Sequence, residues 1–353
     1  MTSRERFQRV IAHKEADRVP IIDDTWGGTR IRWHNEGMPE GVNWWEYFDI
    51  DKVSGTWLNW VSPKFPQKIV EKNERWTIHT TDWGVTKKQF NELDSTPQYL
   101  DFKITTPQAW EEAKARMVFD ESNVDWAGLA RDFPRWEAEG NFIEFTAHFG
   151  FDITHANVTG LETMLIAMLE EPDWVRDMFG TMLELNLRYL DRIWDRGFHF
   201  HALKLYDDMG YKGTPFFSID TYRAVLKPFH ARMIQWAHNH GIPAHLHSCG
   251  NIMPLVPELV EIGFDILNPM EVKAGMDPLA LKERYGDRLA FHGGMNAVLW
   301  ENKDAAVAEI ERLVPRMKEG GGYIFSSDHS IHTGVSLETY RAIVEAAKRC
   351  GSY

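Results

Sequence analysis

The segment with the clearest capacity for chemistry is His245-Leu246-His247-Ser248-Cys249-Gly250-Asn251. The apolar residues that lead into it predict a buried strand, and side chains two positions apart on a strand face the same side. His247 and Cys249 are therefore expected to project together from the C-terminal end of this strand. An imidazole nitrogen and a thiolate suit Zn²⁺. A small buried cysteine beside a hydrogen-bonded core histidine is the open alternative.

A catalytic zinc site needs a third protein ligand and one open coordination position. We expect this ligand at the end of another strand. His329 follows the last predicted strand and is the first candidate. Glu271 follows the strand around Ile266-Leu267 and is the second.

Further polar groups lie at or just beyond predicted strand ends. Asp207 and Asp208 are adjacent, and neighbouring residues on a strand face opposite ways, so at most one lines a pocket unless the strand has ended. We predict that Asp207 is the general acid/base or substrate anchor, with capping of the next turn as the alternative. Three histidines also lie there, with a structural or a catalytic role open to each: His148, His155 and His292. We assign His148 and His292, together with Tyr206, to the substrate pocket.

The elements that must position these groups alternate between strand and helix. Short apolar runs typical of buried strands occur at 19–22, 142–145, 202–206, 242–247, 264–267, 289–292 and 322–325, with a weaker one around Val53. Amphipathic helices are predicted at 172–194, 218–240, 254–262, 278–285, 303–318 and 336–348, after a first helix that opens at Thr2-Ser3-Arg4-Glu5. About eight such units predict an α/β fold, a (β/α)₈ TIM barrel that spans residues 1–353 as one domain.

The alternation fails between about residues 26 and 136, which we interpret as an insertion near the N-terminus. A hairpin is predicted around Thr81-Asp82-Trp83. Eleven of the fifteen tryptophans fall in this segment or at its borders. They either fill a satellite core or form a lid over the barrel mouth, with Trp26 and Trp83 facing the substrate.

Composition excludes several classes of protein. Lys and Arg number 39 against 52 Asp and Glu, a formal net charge of −13, and no basic cluster indicates a nucleic-acid partner. No apolar run is long enough to span a membrane, and residues 1–20 lack the apolar region of a signal peptide. Two cysteines, Cys249 and Cys350, fit a reducing compartment, so we expect a cytoplasmic protein. A homodimer remains open.

Several motifs together resemble a known group of enzymes. They are Ser3-Arg4-Glu5-Arg6 with Asp17-Arg18-Val19-Pro20, Asp207-Asp208-Met209-Gly210 before Lys227-Pro228-Phe229, His247-Ser248-Cys249-Gly250-Asn251, Asn268-Pro269-Met270-Glu271 and Phe291-His292-Gly293-Gly294-Met295. They resemble the uroporphyrinogen decarboxylase (URO-D) superfamily and, within it, the branch of zinc-dependent, corrinoid-linked methyltransferases. Asp82-Trp83-Gly84-Val85 is similar to the substrate-demethylating members.

The resemblance implies zinc on His247 and Cys249, with a further ligand, commonly Cys, near the end of the last strand. Here that region reads Ser327-Asp328-His329-Ser330, so the Cys is absent and His329 is the substitute. Asn296 stands where an Asp is common, and by resemblance it is a catalytic candidate. The chain has no Asp-x-His-x-x-Gly corrinoid signature, which implies that the corrinoid lies on a separate carrier protein.

The decarboxylase itself fits the sequence less well. The arginine-rich N-terminal element that clamps a polycarboxylate porphyrinogen is replaced by Thr25-Trp26-Gly27-Gly28-Thr29-Arg30, which offers one guanidinium. The resemblance therefore implies a methyltransferase that moves a methyl group from a small donor, with a methoxylated aromatic favoured by the tryptophans, to Co(I) of the corrinoid. A metal-free decarboxylase, a corrinoid-to-thiol or corrinoid-to-tetrahydrofolate methyltransferase, and a metal-binding or carrier-docking subunit without turnover are the alternatives.

Overall fold

The computed structural model describes residues 1–92 and 96–353. The strands are β1 (Val53–Ser54), β2 (Trp57–Leu58), β3 (Lys68–Lys72), β4 (Trp76–Thr80), β5 (Thr86–Phe90), β6 (Gln98–Asp101), β7 (Phe142–His148), β8 (Ala202–Tyr206), β9 (Gly210–Tyr211), β10 (Thr214–Pro215), β11 (Ala244–His247), β12 (Ile266–Asn268), β13 (Ala290–His292) and β14 (Tyr323–Ile324).

Helices separate these strands. They are α1 (Ser3–Ile11), α2 (Gly27–Asn35), α3 (Trp44–Tyr47), α4 (Pro107–Lys114), α5 (Trp126–Ala138), α6 (Phe151–Thr154), α7 (Leu161–Glu170), α8 (Pro172–Asp195), α9 (Ile219–Thr221), α10 (Lys227–Asn239), α11 (Val256–Ile262), α12 (Pro278–Tyr285), α13 (Lys303–Met317) and α14 (Leu337–Gly351). Two π-helical segments, His155–Thr159 and Tyr222–Leu226, interrupt the helical layer after β7 and β8.

The strands form the predicted curled parallel sheet. Its order is β1-β7-β8-β11-β12-β13-β14, β2 also pairs with β7, and the pairings along this path are parallel. Because parallel neighbours need a crossover, helices cover the outside of the sheet. The architecture is that of a (β/α)₈ barrel, as the sequence predicts.

The first barrel strand closes the sheet through single bridges. Ile21 pairs in parallel with Phe325, and Thr25 pairs with Ile331. On its other side the carbonyl of Ile21 accepts a hydrogen bond from the amide of Asp51 at 3.0 Å. Pro20 has no amide hydrogen, so this strand cannot form a continuous hydrogen-bond ladder.

Helix α1 covers the N-terminal end of the barrel. Thr2 caps it, and Glu5 returns a hydrogen bond to the backbone of Thr2, so the predicted helix start is confirmed. Phe7 stacks on Phe142 with ring centroids 4.6 Å apart. Apolar side chains from the barrel interior complete this layer: Ala202, Ile266, Ala290 and Ile324.

A buried ion network ties α1 to the first two barrel strands. The side chain of Asp51 is fully buried and accepts from Arg6, from Arg18 at 2.6 Å and from the amide of Ile21 at 2.8 Å. Asp17 also accepts a hydrogen bond from Arg6, at 2.7 Å. The pKa of Asp17 lies well below its usual range, mainly because the Arg6 guanidinium donates hydrogen bonds to its carboxylate. The motif at residues 3–6 and 17–20 is therefore a structural clamp.

Residues 26–136 contain more than an insertion, because α2 and the second barrel strand, β1 with β2, lie within them. The added part is a four-stranded antiparallel sheet, β3-β4-β5-β6. The predicted hairpin around Thr81-Asp82-Trp83 joins β4 to β5, which pair from Thr80 with Thr86 to Trp76 with Phe90. Four of the tryptophans are buried in the main core: Trp33, Trp44, Trp83 and Trp110.

Among the described residues, the helices are all too short or too polar to cross a lipid bilayer.

The Asp51 clamp predicts a large effect of one small change. Asp51→Asn removes the charge that two buried guanidinium groups share, and an unpaired buried charge is costly, so the free energy of unfolding should fall by about 3 kcal/mol. Asp49→Asn is the matched control, because its side chain is 95% exposed in its ion pair with Lys348 and should contribute about 0.5 kcal/mol. Urea denaturation followed by circular dichroism measures both. Equal effects would contradict the clamp.

Candidate metal centre

The register of the barrel places one row of polar side chains across its interior. His148 of β7 pairs with Tyr206 of β8, Tyr206 with His247 of β11, and His247 with Asn268 of β12. Because side chains alternate along a strand, residues in one register row project into the barrel together. The row lies at the C-terminal ends of the strands, where barrel enzymes carry their active sites.

Two contacts fix the orientation of the His247 ring. Its Nδ1 hydrogen-bonds to Oδ1 of Asn268, whose Nδ2 in turn donates to the carbonyl of His292 at 3.0 Å. Tyr206 stacks on the imidazole with ring centroids 4.1 Å apart. Since Asn268 Oδ1 accepts the Nδ1 proton, Nε2 keeps its lone pair available for a ligand.

Cys249 and Asp208 lie on the open side of this imidazole. Sγ of Cys249 is 3.5 Å from Nε2 of His247, and Oδ1 of Asp208 is 3.7 Å from the same atom. Oδ1 also accepts from the backbone amide of Cys249 at 2.7 Å. Within residues 1–92 and 96–353, these side chains form the one group of three whose ligand atoms all lie within 4.8 Å of one another.

The loops after β8 and β11 are joined backbone to backbone. Gly210 donates to the carbonyl of Cys249 at 3.1 Å, and Asn251 donates to the carbonyl of Tyr211 at 2.9 Å. A Cβ at Gly250, which has φ +79°, would lie 2.2 Å from the carbonyl carbon of Gly210. This close approach requires glycine and brings Asp208 and Cys249 to the same place.

A cleft of about 500 Å³ opens beside this group. Asp208, Cys249 and Glu271 line it, together with Asp152 and His155. The hairpin of β9 and β10 forms a rim, where Tyr211 is 61% exposed.

Burial and charge set the protonation of the three clustered groups. Burial, followed by the charge of Lys204, holds the pKa of His247 well below its usual range, so the ring is neutral at physiological pH. Burial, followed by the carboxylates of Asp208 and Glu271, raises the pKa of the Cys249 thiol. Burial, followed by the charge of Asp152, raises the pKa of Asp208 to about 7. A bound divalent cation would reverse the last two shifts.

The structure favours Asp208 over Asp207 as the residue that lines the pocket. The carboxylate of Asp207 is fully buried, where it accepts from the amide of Asp152 at 2.7 Å and contacts Nε2 of His230 at 2.9 Å. β8 ends at Tyr206, so strand alternation does not decide between them: in the loop that follows, Asp207 is buried and Asp208 lines the cleft. Our preference for Asp207 selected the member of the pair that faces away from the cleft.

The two predicted third ligands lie outside the group of three. Glu271 is close, since its Oε2 accepts from the amide of Gly250 at 2.7 Å and it lines the cleft. His329 lies at the end of the last strand, where its ring meets the edge of Trp26 with centroids 6.1 Å apart. Its charge contributes to lowering the pKa of His247, so it faces the same region of the barrel mouth.

Three further predicted residues have structural partners. Asn296 caps a short helical turn by accepting from the amide of Val298 at 3.1 Å, and it is not a member of the group of three. His292 is buried, with Nδ1 at 3.4 Å from Nε2 of His245. His148 lies in the row, and its Nε2 is 2.7 Å from Oδ2 of Asp152.

One of the two tryptophans predicted to face the substrate, Trp83, is buried, and a further tryptophan lies beside the row. Trp83 is 8% exposed in the main core. Trp57 of β2, which the sequence analysis did not select, is 47% exposed and lies 5.3 Å from Tyr206 and 6.2 Å from His148 between ring centroids. Its position at the end of a barrel strand is the signal that would have identified it.

Gly150 is a second position where the site requires glycine. It has φ +109°, and a Cβ there would lie 2.3 Å from Oδ2 of Asp207. Gly150→Ala should therefore lower the free energy of unfolding by at least about 3 kcal/mol, because backbone strain and a clash with a buried carboxylate add. Gly241→Ala is the matched control: φ is +70° but nothing lies within 4 Å, so about 1 kcal/mol is expected. Chemical denaturation of both variants tests the difference.

Comparisons with known proteins agree with this fold. Uroporphyrinogen decarboxylases from Anaeromyxobacter sp. (strain Fw109-5) and Anaeromyxobacter dehalogenans (strain 2CP-C) are 28% identical over 120 residues and 25% identical over 130 residues. These matches cover 34% and 35% of this chain, and 33% and 35% of the two relatives.

The fold is matched by a solved structure described as a methyltransferase from Methanosarcina mazei. The TM-score is 0.64 at 15% identity, and the match covers 99% of both chains. Residues 154–350, more than half of the chain, match the family described as uroporphyrinogen decarboxylase (URO-D), and they include the loops that carry Asp208, His247 and Cys249. The chain is therefore a member of the uroporphyrinogen decarboxylase (URO-D) family.

Proposed function

We propose that this protein is a zinc-dependent methyltransferase that moves a methyl group from a small methylated donor to the Co(I) corrinoid of a separate carrier protein. The observation that carries the proposal is the convergence of Asp208, His247 and Cys249 within 4.8 Å at the C-terminal end of the barrel. The methyltransferase description of the solved structure with the same fold agrees with it.

The donor set fits zinc. One imidazole nitrogen, one thiolate and one carboxylate oxygen leave a fourth, open position in a tetrahedral site. Asn268 holds the His247 ring in the tautomer that a metal ligand needs. When bound, zinc would act as a Lewis acid on the oxygen from which the methyl group departs.

Asp208 replaces His329 and Glu271 as the third ligand that we propose. Glu271 accepts from the Gly250 amide and lies 3.5 Å from Lys273, so it is placed to orient the Cys249 loop. His329 is placed near Trp26, where it suits a contact to the donor.

The charge of the cleft opposes a polycarboxylate substrate. Asp152, Asp208 and Glu271 all line it, and the lysines there are at the exposed rim. A porphyrinogen with many carboxylates needs several guanidinium partners, and none of the described residues that line this cleft is an arginine. The decarboxylase function of the two curated relatives is therefore the weaker candidate.

A methoxylated aromatic compound suits the exposed Trp57 ring and Tyr206, because its own ring can stack against them.

Metal analysis tests the ligand set. The purified protein should bind about one zinc per chain, and His247→Ala, Cys249→Ser and Asp208→Asn should each lose it, because each removes a proposed ligand. Glu271→Gln and His329→Ala are the matched controls and should retain zinc. Circular dichroism must show that each variant is folded, since a metal can also stabilise a fold. If His329→Ala loses zinc while Asp208→Asn keeps it, the third ligand is His329.

A methyl-transfer assay tests the reaction. Zinc-loaded protein, a methoxylated aromatic donor and Co(I) cobalamin should yield methyl-Co(III), seen by its absorbance, and the demethylated phenol in equal amount. Release of CO₂ from a porphyrinogen, without methyl transfer, would replace the proposal by the decarboxylase function.

Trp57 tests the placement of the donor. Trp57→Leu should raise KM for the donor about tenfold with little change in kcat, because it removes an aromatic wall that binds the ring. Trp76→Leu is the control and should leave KM unchanged, because its ring contacts Glu71 and Lys88 within the antiparallel sheet. Trp83→Leu should lower stability, since that ring is buried in the core. An unchanged KM in Trp57→Leu would show that the donor binds elsewhere.

A further inference from the structure

A carboxylate shared by two histidines lines the same cleft as two of the proposed zinc ligands, Asp208 and Cys249. Oδ2 of Asp152 is 2.7 Å from Nε2 of His148, and Oδ1 is 3.5 Å from Nε2 of His155. The histidine side chains are 17% and 20% exposed, so both imidazoles are largely enclosed but remain accessible. The residues of this His148-Asp152-His155 cluster are not among the proposed zinc ligands.

Buried polar contacts hold the cluster in place. Asp207 accepts from the amide of Asp152, and His230 contacts the other oxygen of Asp207 at 2.9 Å. Gly150 leaves room for this carboxylate. The carboxylate of Asp207 and the space left by Gly150 therefore both help to position Asp152.

His155 begins a π-helical segment, His155–Thr159. Such segments cost hydrogen-bond geometry and occur frequently at functional sites. Asn157 in the same segment accepts from Lys87 of the antiparallel sheet at 2.8 Å, which ties the segment to residues outside the barrel. The irregular turn thus sets the position of the His155 ring against the cleft.

The cleft joins His155 to the proposed metal centre. Its lining includes His155 and Asp152 together with Asp208 and Cys249. Phe151 and Phe216 flank the imidazole, with ring centroids at 4.8 and 6.2 Å. A donor in the cleft with its oxygen toward the cysteine would therefore face the imidazole.

Charges around His155 act in opposite directions. Burial lowers the pKa of His155, the carboxylates of Asp152 and Asp207 raise it, and His148 lowers it. The net effect is a pKa below the usual value of a histidine, which makes the imidazolium a stronger acid toward a departing oxygen.

We propose that His155 is the general acid of the methyl transfer and that Asp152 is its positioning residue. The inference rests on the proposed function. The bond between methyl and oxygen breaks with its electron pair left on oxygen, and the His155 imidazolium gives that oxygen its proton. The electron pair of Co(I) forms the new bond to the methyl carbon, which oxidises cobalt to Co(III). The products are methyl-Co(III), a neutral alcohol or phenol, and neutral His155, which takes a proton from solvent.

This role predicts which donors depend on His155. An ether whose oxygen becomes a strongly basic leaving group needs the proton most, whereas a nitro-substituted methoxyarene gives a stable phenolate that departs without it. His155→Gln should therefore lose about 100-fold or more in kcat/KM with an unactivated methoxyarene and less than about fivefold with the nitro-substituted one.

A matched control lies at the opposite end of the barrel. Nε2 of His238 is 2.8 Å from Oδ2 of Asp265, which precedes β12. His238→Gln should follow the wild type with both donors. Equal losses with both donors in His155→Gln, or no loss with either, would overturn the inference, provided the wild-type protein transfers methyl groups. Absence of transfer from every donor in the wild type would instead reject the proposed function and the proton-transfer role with it.

A second measurement needs no turnover. The ¹⁵N NMR spectrum of the imidazoles should show the Nε2–H tautomer for His155, because Nε2 faces Asp152, and Asp152→Asn should shift that balance. Asp265→Asn should leave the His155 signals unchanged. A His155 spectrum insensitive to Asp152→Asn would remove the positioning role of Asp152.

Discussion

The contact between the backbones of Gly210 and Gly250 is the constraint on which the site depends. A Cβ at Gly250 would lie 2.2 Å from the carbonyl carbon of Gly210, and one at Gly210 would lie 2.5 Å from the carbonyl oxygen of Cys249. Neither loop can therefore carry a side chain at this point. Because the loops are joined here, Asp208 from one and Cys249 from the other meet beside His247. Ser248 adds a contact, since its hydroxyl accepts from the amide of Met209 at 2.9 Å.

The adjacent aspartates Asp207 and Asp208 have different roles because their side chains point to different places. Asp207 points into the protein and holds the segment after β7, through the amide of Asp152 and the ring of His230. Asp208 points into the cleft. A buried carboxylate without partners would be costly, and the carboxylate of Asp207 finds its partners in two different barrel units. Through these contacts Asp207 links the packing of the helical layer to the geometry of the cleft.

The carboxylates around Cys249 also affect the protonation of its thiol. Carboxylates of Asp208 and Glu271 raise the pKa of its thiol, which disfavours the thiolate in the protein by itself. The arrangement becomes favourable with a divalent cation, because the cation stabilises the thiolate and the carboxylate together. The neutral ring of His247, enforced by burial, suits the same occupant.

The sequence alone determined the barrel, because its signals are local. Apolar runs and amphipathic periods reveal eight strand and helix units, and α12 occurs at the predicted residues, Pro278–Tyr285. The spacing of His247 and Cys249 likewise predicts a shared face, since alternation along a strand depends on nothing distant. The first strand was predicted as a regular strand, but Pro20 and the single bridges to Phe325 and Ile331 make it irregular.

Tertiary structure decided the remaining site residues, because contacts between strands are not encoded in local spacing. Which of Asp207 and Asp208 faces the cleft depends on where β8 ends and on its junction with the loop after β11. Asn268 reaches His247 through the register between β11 and β12, and Trp57 reaches Tyr206 across β7. The sequence does not show which way the β4–β5 hairpin points. Packing directs it so that Trp83 lies in the core and not, as we had predicted, over the barrel mouth. Spacing along a chain fixes which side of a strand a residue occupies, whereas sheet closure and loop packing fix what it meets there.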